Sequence, residues 1–238
     1  MACQYLAFDI ETSKDVPGDD FNWRAHRPLG ISCAATLASG GDQPLLWYSK
    51  TRDGSPAKRM SREDVQGLVL YLSKMAADGF RILTWNGLAF DFDILAEESG
   101  AAKSCGECAL GHVDMMFHVF CTLGYPVALD KAAQGMGLPG KPPGMDGSKA
   151  PRLWAQGHFK EVLEYVAQDV RIAIEIAQAC ERRRRLEWVT RRGTRGSMPL
   201  PDGWLTVREA LRLPEPDTSW MSTPMSRCDF TAWLPVSR

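Results

Sequence analysis

The sequence is short of several features that would place it at once. No apolar run approaches the roughly 18 to 20 residues that cross a bilayer, so no transmembrane helix is expected. Net charge is nearly absent: 28 Lys and Arg face 29 Asp and Glu, a formal −1. A nucleic-acid partner would have to be held by a local basic patch, because the chain as a whole is not basic. The seven cysteines are an odd number with no regular spacing, which points to reduced thiols and a cytoplasmic setting. The opening MACQYLAFDIE has no basic n-region, so no secretory signal is expected. No internal repeat is seen. What the chain does have is apolar content of 45% over 238 residues, enough for one large domain with a sizeable core.

Hydrophobic spacing gives the order of elements. Residues 4–11, 29–38 and 44–49 read as strands, the last two separated by a Gly-Gly-Asp turn. A helix is predicted from Ser61, which forms a cap with Asp64, to a stop at Gly79. FRILTW, 80–85, reads as a buried strand, and Asn86-Gly87 as a turn into a helix over 90–98. HVD, 112–114, reads as a short strand with Asp114 capping the helix that follows. Residues 137–153 read as loop, and a long helix is predicted over 157–188. Hairpin strands followed by alternating helices and strands predict an α/β fold, a mixed sheet with helices on its faces. We expect one domain over 1–195 and an irregular C-terminal extension, 196–238, packed on it.

Three stretches place acids where a core-forming pattern would not want them. In LAFDIET, 6–12, Leu6, Phe8 and Ile10 alternate with Ala7, Asp9 and Glu11. Side chains two apart share a face of a strand, so two carboxylates stand close together. Such a pair repels and needs an offset, for which a bound cation serves. In TWNGLAFDFDIL, 84–95, a helix opening after a buried strand carries Asp91 and Asp93. Strand-to-helix junctions of this kind are where ligands collect in α/β sheets. An acid in a first helical turn also complements the helix dipole. In EYVAQDV, 164–170, Tyr165 and Asp169 are four apart and share a helix face, with Asp169 at the edge of the apolar stripe.

Together, FDIET (8–12), NGLAFD (86–91) and YVAQD (165–169) resemble the DEDD family of 3′–5′ exonucleases, and most nearly the proofreading domain of family B DNA polymerases and its stand-alone bacterial relatives. The resemblance spans about residues 4 to 180. A Tyr four residues before the last Asp matches the tyrosine branch. The resemblance implies a ribonuclease-H-like fold and hydrolysis of phosphodiester bonds at the 3′ ends of single-stranded nucleic acid, DNA or RNA. It implies two divalent ions, Mg²⁺ or Mn²⁺, on Asp9, Glu11, Asp91 and Asp169, with Tyr165 orienting the attacking water. Asp91 is chosen over Asp93 because the family's ligand directly follows the Phe; Asp93 is expected to be a solvated or helix-start acid. Proofreading would need a polymerase acting in trans. An endonuclease, a nuclease of very short oligonucleotides and a non-catalytic nucleic-acid-binding module remain alternatives.

For substrate contacts the sequence offers Asn86 and Phe90 around the Asn-Gly turn. The run 182–195 carries seven arginines. It reads equally as a solvated helix end and as a phosphate-binding patch, with Arg184 and Arg185 at its centre. Lys141, Lys149 and Arg152 in the loop before the last helix are further candidates. His158 reads as a helix-entry residue. Cys105-x-x-Cys108 with His112 and His118 is a weak zinc pattern, because no second Cys pair matches it. Tryptophans 204, 220 and 233 are expected to pack onto the core.

Overall fold

The computed structural model describes residues 3–16, 22–140 and 147–235. Lys141 therefore lies outside the described residues. In chain order, β1 (Tyr5–Thr12), β2 (Ile31–Ala38) and β3 (Leu45–Trp47) form an antiparallel meander, with a short 3₁₀ turn at Trp23–His26 between the first two. Then follow α1 (Arg62–Ala77), β4 (Arg81–Thr84), α2 (Asp91–Ser99), α3 (Ala102–Gly111), β5 (Val113–Asp114) and α4 (Met115–Leu123). After α5 (Leu129–Met136), α6 (Ala150–Ala155) and the long α7 (Phe159–Arg183) comes a hairpin, β6 (Arg185–Val189) with β7 (Arg195–Pro199). The short α8 (Val207–Ala210) and α9 (Cys228–Thr231) complete the described chain.

The main sheet runs β3-β2-β1-β4-β5, with β1, β4 and β5 mutually parallel. This is a ribonuclease-H-like mixed sheet with helices on both faces. Parallel pairing brings the carboxyl ends of three strands to one edge, and the residues after each of them meet there. Both faces of β1 are covered. Leu6, Phe8 and Ile10 pack with Val65, Leu68 and Leu72 of α1 and Phe92 and Leu95 of α2. Tyr5 and Ala7 pack with Val162, Val166, Val170 and Ala173 of α7. The acid-bearing face of β1 therefore lies under α7.

Local chemistry accounts for two of the helix starts. The Ser61 hydroxyl accepts the Asp64 N–H and starts α1. The Asp114 carboxylate accepts the Phe117 N–H and starts α4. Three readings need correction. Two helices, α3 and α5, occupy stretches for which no element was predicted, and α6 begins inside the expected 137–153 loop. The last long helix ends at Arg183, where Arg184 turns left-handed at φ 54° and the chain enters β6. The arginine run masked that stop, since nothing in RRRR marks a left-handed residue. The boundary drawn at 195/196 falls at the start of β7, whose partner is β6, so it divides a hairpin. Beyond it Trp204, Val207, Ala210 and Phe230 are buried in the two cores. Among the described residues no helix is long and apolar enough to cross a membrane.

Candidate active site

At the carboxyl edge of the sheet, carboxylate oxygens of Asp9, Glu11 and Asp169 all lie within 4.8 Å of one another. Two come from β1 and one from the face of α7 that covers it. A register shift between Glu11 and Thr12 interrupts the β1–β2 ladder just after this pair. Ser32 sits at the irregularity, and its hydroxyl donates to the Glu11 carbonyl at 3.1 Å, satisfying a backbone group the ladder would otherwise leave. Glu11 and Asp169 are buried and Asp9 is half-buried.

Tyr165, one helical turn before Asp169, hydrogen-bonds to the Asp169 carboxylate. Burial first, then the negative charge of Asp169, Glu11 and Asp9, raises its phenol far above the ordinary value. It is thus held protonated, a hydrogen-bond donor beside three acids. Gly147 lies against the same hydroxyl: a Cβ there would stand 3.8 Å from it.

Asp91 opens α2 immediately behind β1. Its Oδ1 accepts the Ile10 N–H at 3.0 Å, the amide between the two β1 acids. Burial, Asp114 and Asp169 push its carboxyl up, to about 7. Asp91 is close enough to Asp169 to feel its charge, yet it lies outside the group of three converging carboxylates. Asp93 differs from the expectation of a solvated acid. It is 2% exposed and ion-paired with Arg24 at 3.3 Å and with Arg27. The two arginines lie over the Trp23 ring, 4.5 and 5.1 Å from its centroid.

The turn joining β4 to α2 is fixed by a third buried acid. Asp114 accepts the N–H groups of Asn86 (3.0 Å), Leu88 (2.8 Å) and Phe117 (3.0 Å). Asn86 has φ 74°, a left-handed backbone that Asn tolerates better than most residues. At Gly87 a Cβ would stand 2.4 Å from Thr84 Oγ1, so only glycine fits. These demands explain the Asn-Gly pair in terms of geometry.

Asp9 and Asp169 open onto a cleft of about 400 Å³ lined also by Trp85, Asn86, Asp130, Gly147 and Tyr165 among others, within the range of small-ligand sites. The sequence-derived substrate residues divide. Asn86 lines the cleft. Phe90 packs edge-on to Trp23, 5.1 Å between centroids, and is not among the lining residues. Lys149 caps α6, two residues from Gly147. Arg152 pairs with Asp15 at 3.2 Å, tying α6 to the segment after β1. Arg184 and Arg185 lie about 22 Å along α7 from Asp169, by helix rise. There Arg184 donates to the Pro201 carbonyl and Arg185 pairs with Glu187. Sequence reasoning missed Trp85 and Asp130. Trp85 had a signal, its place at the end of a buried strand before a turn; Asp130, on an unread helix, had none.

The donor set fits hard divalent cations. It is all carboxylate, with no thiol or imidazole in the group, which suits Mg²⁺ or Mn²⁺. The Cys105/Cys108 pair forms no such group among the described residues. His112 instead contacts Thr84 and Ala109, and His118 accepts the Leu205 N–H. His158 caps α7 and pairs with Glu161 at 2.9 Å.

Residues 109–173 match the model of a family described as a predicted 3′–5′ exonuclease related to the exonuclease domain of PolB. That stretch contains Tyr165 and Asp169, while Asp9, Glu11 and Asp91 lie before it. A search of curated proteins finds no match. Among solved structures, the family B DNA polymerase from the hyperthermophilic archaeon Pyrobaculum calidifontis is similar, with a TM-score of 0.54 and 19% identity. The likeness covers 76% of this chain but 25% of the polymerase, so the chain spans about a quarter of that protein's length. At this identity the likeness is one of fold. The chain thus resembles a predicted 3′–5′ exonuclease of the PolB-related kind in sequence over 109–173, and part of a family B DNA polymerase in fold more widely.

Proposed function

We propose that this protein is a metal-dependent 3′–5′ exonuclease that removes nucleotides from the end of single-stranded DNA or RNA. The observation that carries the reading is the convergence of the Asp9, Glu11 and Asp169 carboxylates beside a cleft that Asp9 and Asp169 line, with the protonated Tyr165 next to them. Asp91 is the fourth acid of the set. Its proximity to Asp169 supports that role, and its bond to Ile10 N–H holds the β1 acids in register with α2.

Two divalent ions bound by these acids would supply a water acidic enough to attack at neutral pH and stabilise the charge on the leaving 3′ oxygen. The chain's own residues do the rest. The carboxylates hold negative charge where only a cation-compensated phosphate can approach. Tyr165 is a donor throughout, because its surroundings oppose ionisation, so it orients a water or a phosphate oxygen and does not act as a base. Asn86 and Trp85, on a turn pinned by Asp114, form the wall against which the terminal nucleotide rests.

A gel time course tests this, using 5′-labelled single-stranded DNA and RNA of matched sequence with Mg²⁺, Mn²⁺ or EDTA. The expected result is a metal-dependent ladder shortening from the 3′ end, absent in Asp9→Ala. Intact strands in every lane of folded wild-type protein would overturn the reading. Internal cuts without a ladder would make the protein an endonuclease.

A further inference from the structure

The three tail tryptophans have different surroundings. Trp204 is 2% exposed, and Trp233 donates from Nε1 to the Leu88 carbonyl at 2.6 Å. Trp220 is 67% exposed, among the most exposed large apolar residues described. Its exposure is not that of a loose side chain. Nε1 donates to the Asp217 carbonyl at 3.2 Å, and the ring stands edge-on to Tyr125, centroids 6.1 Å apart at 76°. The segment carrying it presses on the end of α4: a Cβ at Gly124 would stand 2.4 Å from the Thr218 methyl.

The residue that braces this ring belongs to a segment that reaches the cleft. Tyr125 lies two residues before Val127, whose carbonyl accepts the Trp85 Nε1–H at 2.9 Å. Trp85, Ala128 and Leu129 line the cleft itself. Tyr125, the brace of Trp220, therefore stands at one end of the short segment 125–129, whose other end lines the cleft beside Trp85. We propose that Trp220, braced by Tyr125, is a stacking platform for the bases of the substrate strand where it leaves the cleft. This rests on the exonuclease reading for the identity of the strand. A held aromatic face suits single-stranded nucleic acid because every base has a π-face to stack.

The local charges define the mode of grip. Glu215 and Asp217 precede the ring on its own segment, and Glu215 is paired with Arg227 at 3.4 Å. Phosphates gain nothing there, so the platform works through the ring and its contribution is insensitive to salt, unlike phosphate contacts.

The test is binding of phosphorothioate-linked single strands, which resist cleavage, in Mg²⁺ with wild type, Trp220→Ala and Trp220→Phe. A dinucleotide reports the cleft alone; longer strands reach the platform. Trp220→Ala should weaken long strands roughly 5-fold or more and leave the dinucleotide unchanged. The ratio between wild type and variant should be the same at low and high salt, and Trp220→Phe should keep most of the affinity. Equal binding of long strands by wild type and Trp220→Ala, or a loss that the dinucleotide shares, overturns the platform. Length-dependent binding by wild type without cleavage of ordinary strands would overturn the exonuclease reading and leave the platform standing.

Discussion

Asp91 and Asp93 stand two residues apart on one helical turn, and both are almost fully buried, at 3% and 2% exposure. Their surroundings are opposite. Asp91 faces other acids, Asp114 and Asp169, and its carboxyl is driven upward. Asp93 faces Arg24 and Arg27, themselves stacked over Trp23, and fastens the segment before β2 to α2. Burial alone therefore says little about an acid's task. The sign of what surrounds it says more: like charge gathered at a cleft stores the capacity to bind cations, whereas opposite charge closes a structural clamp.

The sharpest way to break this contrast is to remove one acid of each kind. Asp9→Ala, in the like-charged set, should lower the cleavage rate about a thousand-fold or more at saturating Mg²⁺, with melting temperature held or raised because repulsion is relieved. Wild-type rates in that variant would break the cation side of the comparison. Tyr165→Phe keeps the ring and removes the donor; cleavage should fall by roughly a hundred-fold while strand affinity stays. An unchanged rate would mean that the hydroxyl serves only Asp169. Asp93→Ala should do the reverse of Asp9→Ala. Stability should fall by about 1–3 kcal/mol, discounted for the half-exposed arginines, with cleavage per folded molecule preserved. Chemical denaturation read beside the gel assay separates the two.

A fourth prediction concerns groups that burial keeps neutral. His112 and His118 are both pushed down to about 4, chiefly by burial. In the unfolded chain they return to about 6.5, so between those values the unfolded state binds protons that the folded state refuses. Their contribution to stability is complete above about pH 6.5 and is lost as pH falls toward about 4. Protonation would also cost His118 the Leu205 N–H bond that docks the tail. His118→Asn should flatten part of the fall in melting temperature over that range; identical slopes would exclude His118 as a source. The smallest expected effect is at the Ser61 cap, where Ser61→Ala should cost about 1 kcal/mol with no change in cleavage.

Much of the site was legible because the chemistry imposes strict patterns. Alternation in LAFDIET placed Asp9 and Glu11 on one face, and the four-residue step from Tyr165 to Asp169 placed both over it. The Asn-Gly pair announced a turn that the left-handed Asn86 and the space-starved Gly87 require. What escaped depended on long-range partners. The task of Asp93 is set by arginines 66 and 69 residues away in sequence, and that of Asp114 by amides 26 and 28 residues away. The end of α7 was hidden for the opposite reason, since four successive arginines are all good helix formers and only the backbone of Arg184 reveals the break.

Asp114 has one more consequence. Two amides of the β4–α2 turn and the Phe117 amide in the first turn of α4 converge on its single carboxylate. The turn's backbone is therefore set from behind, by a group that does not line the cleft. The wall that Trp85 and Asn86 present is assembled at folding, so a ligand entering the cleft would have no loop to order there. Side chains on that wall can then be exchanged without rebuilding the frame that carries them.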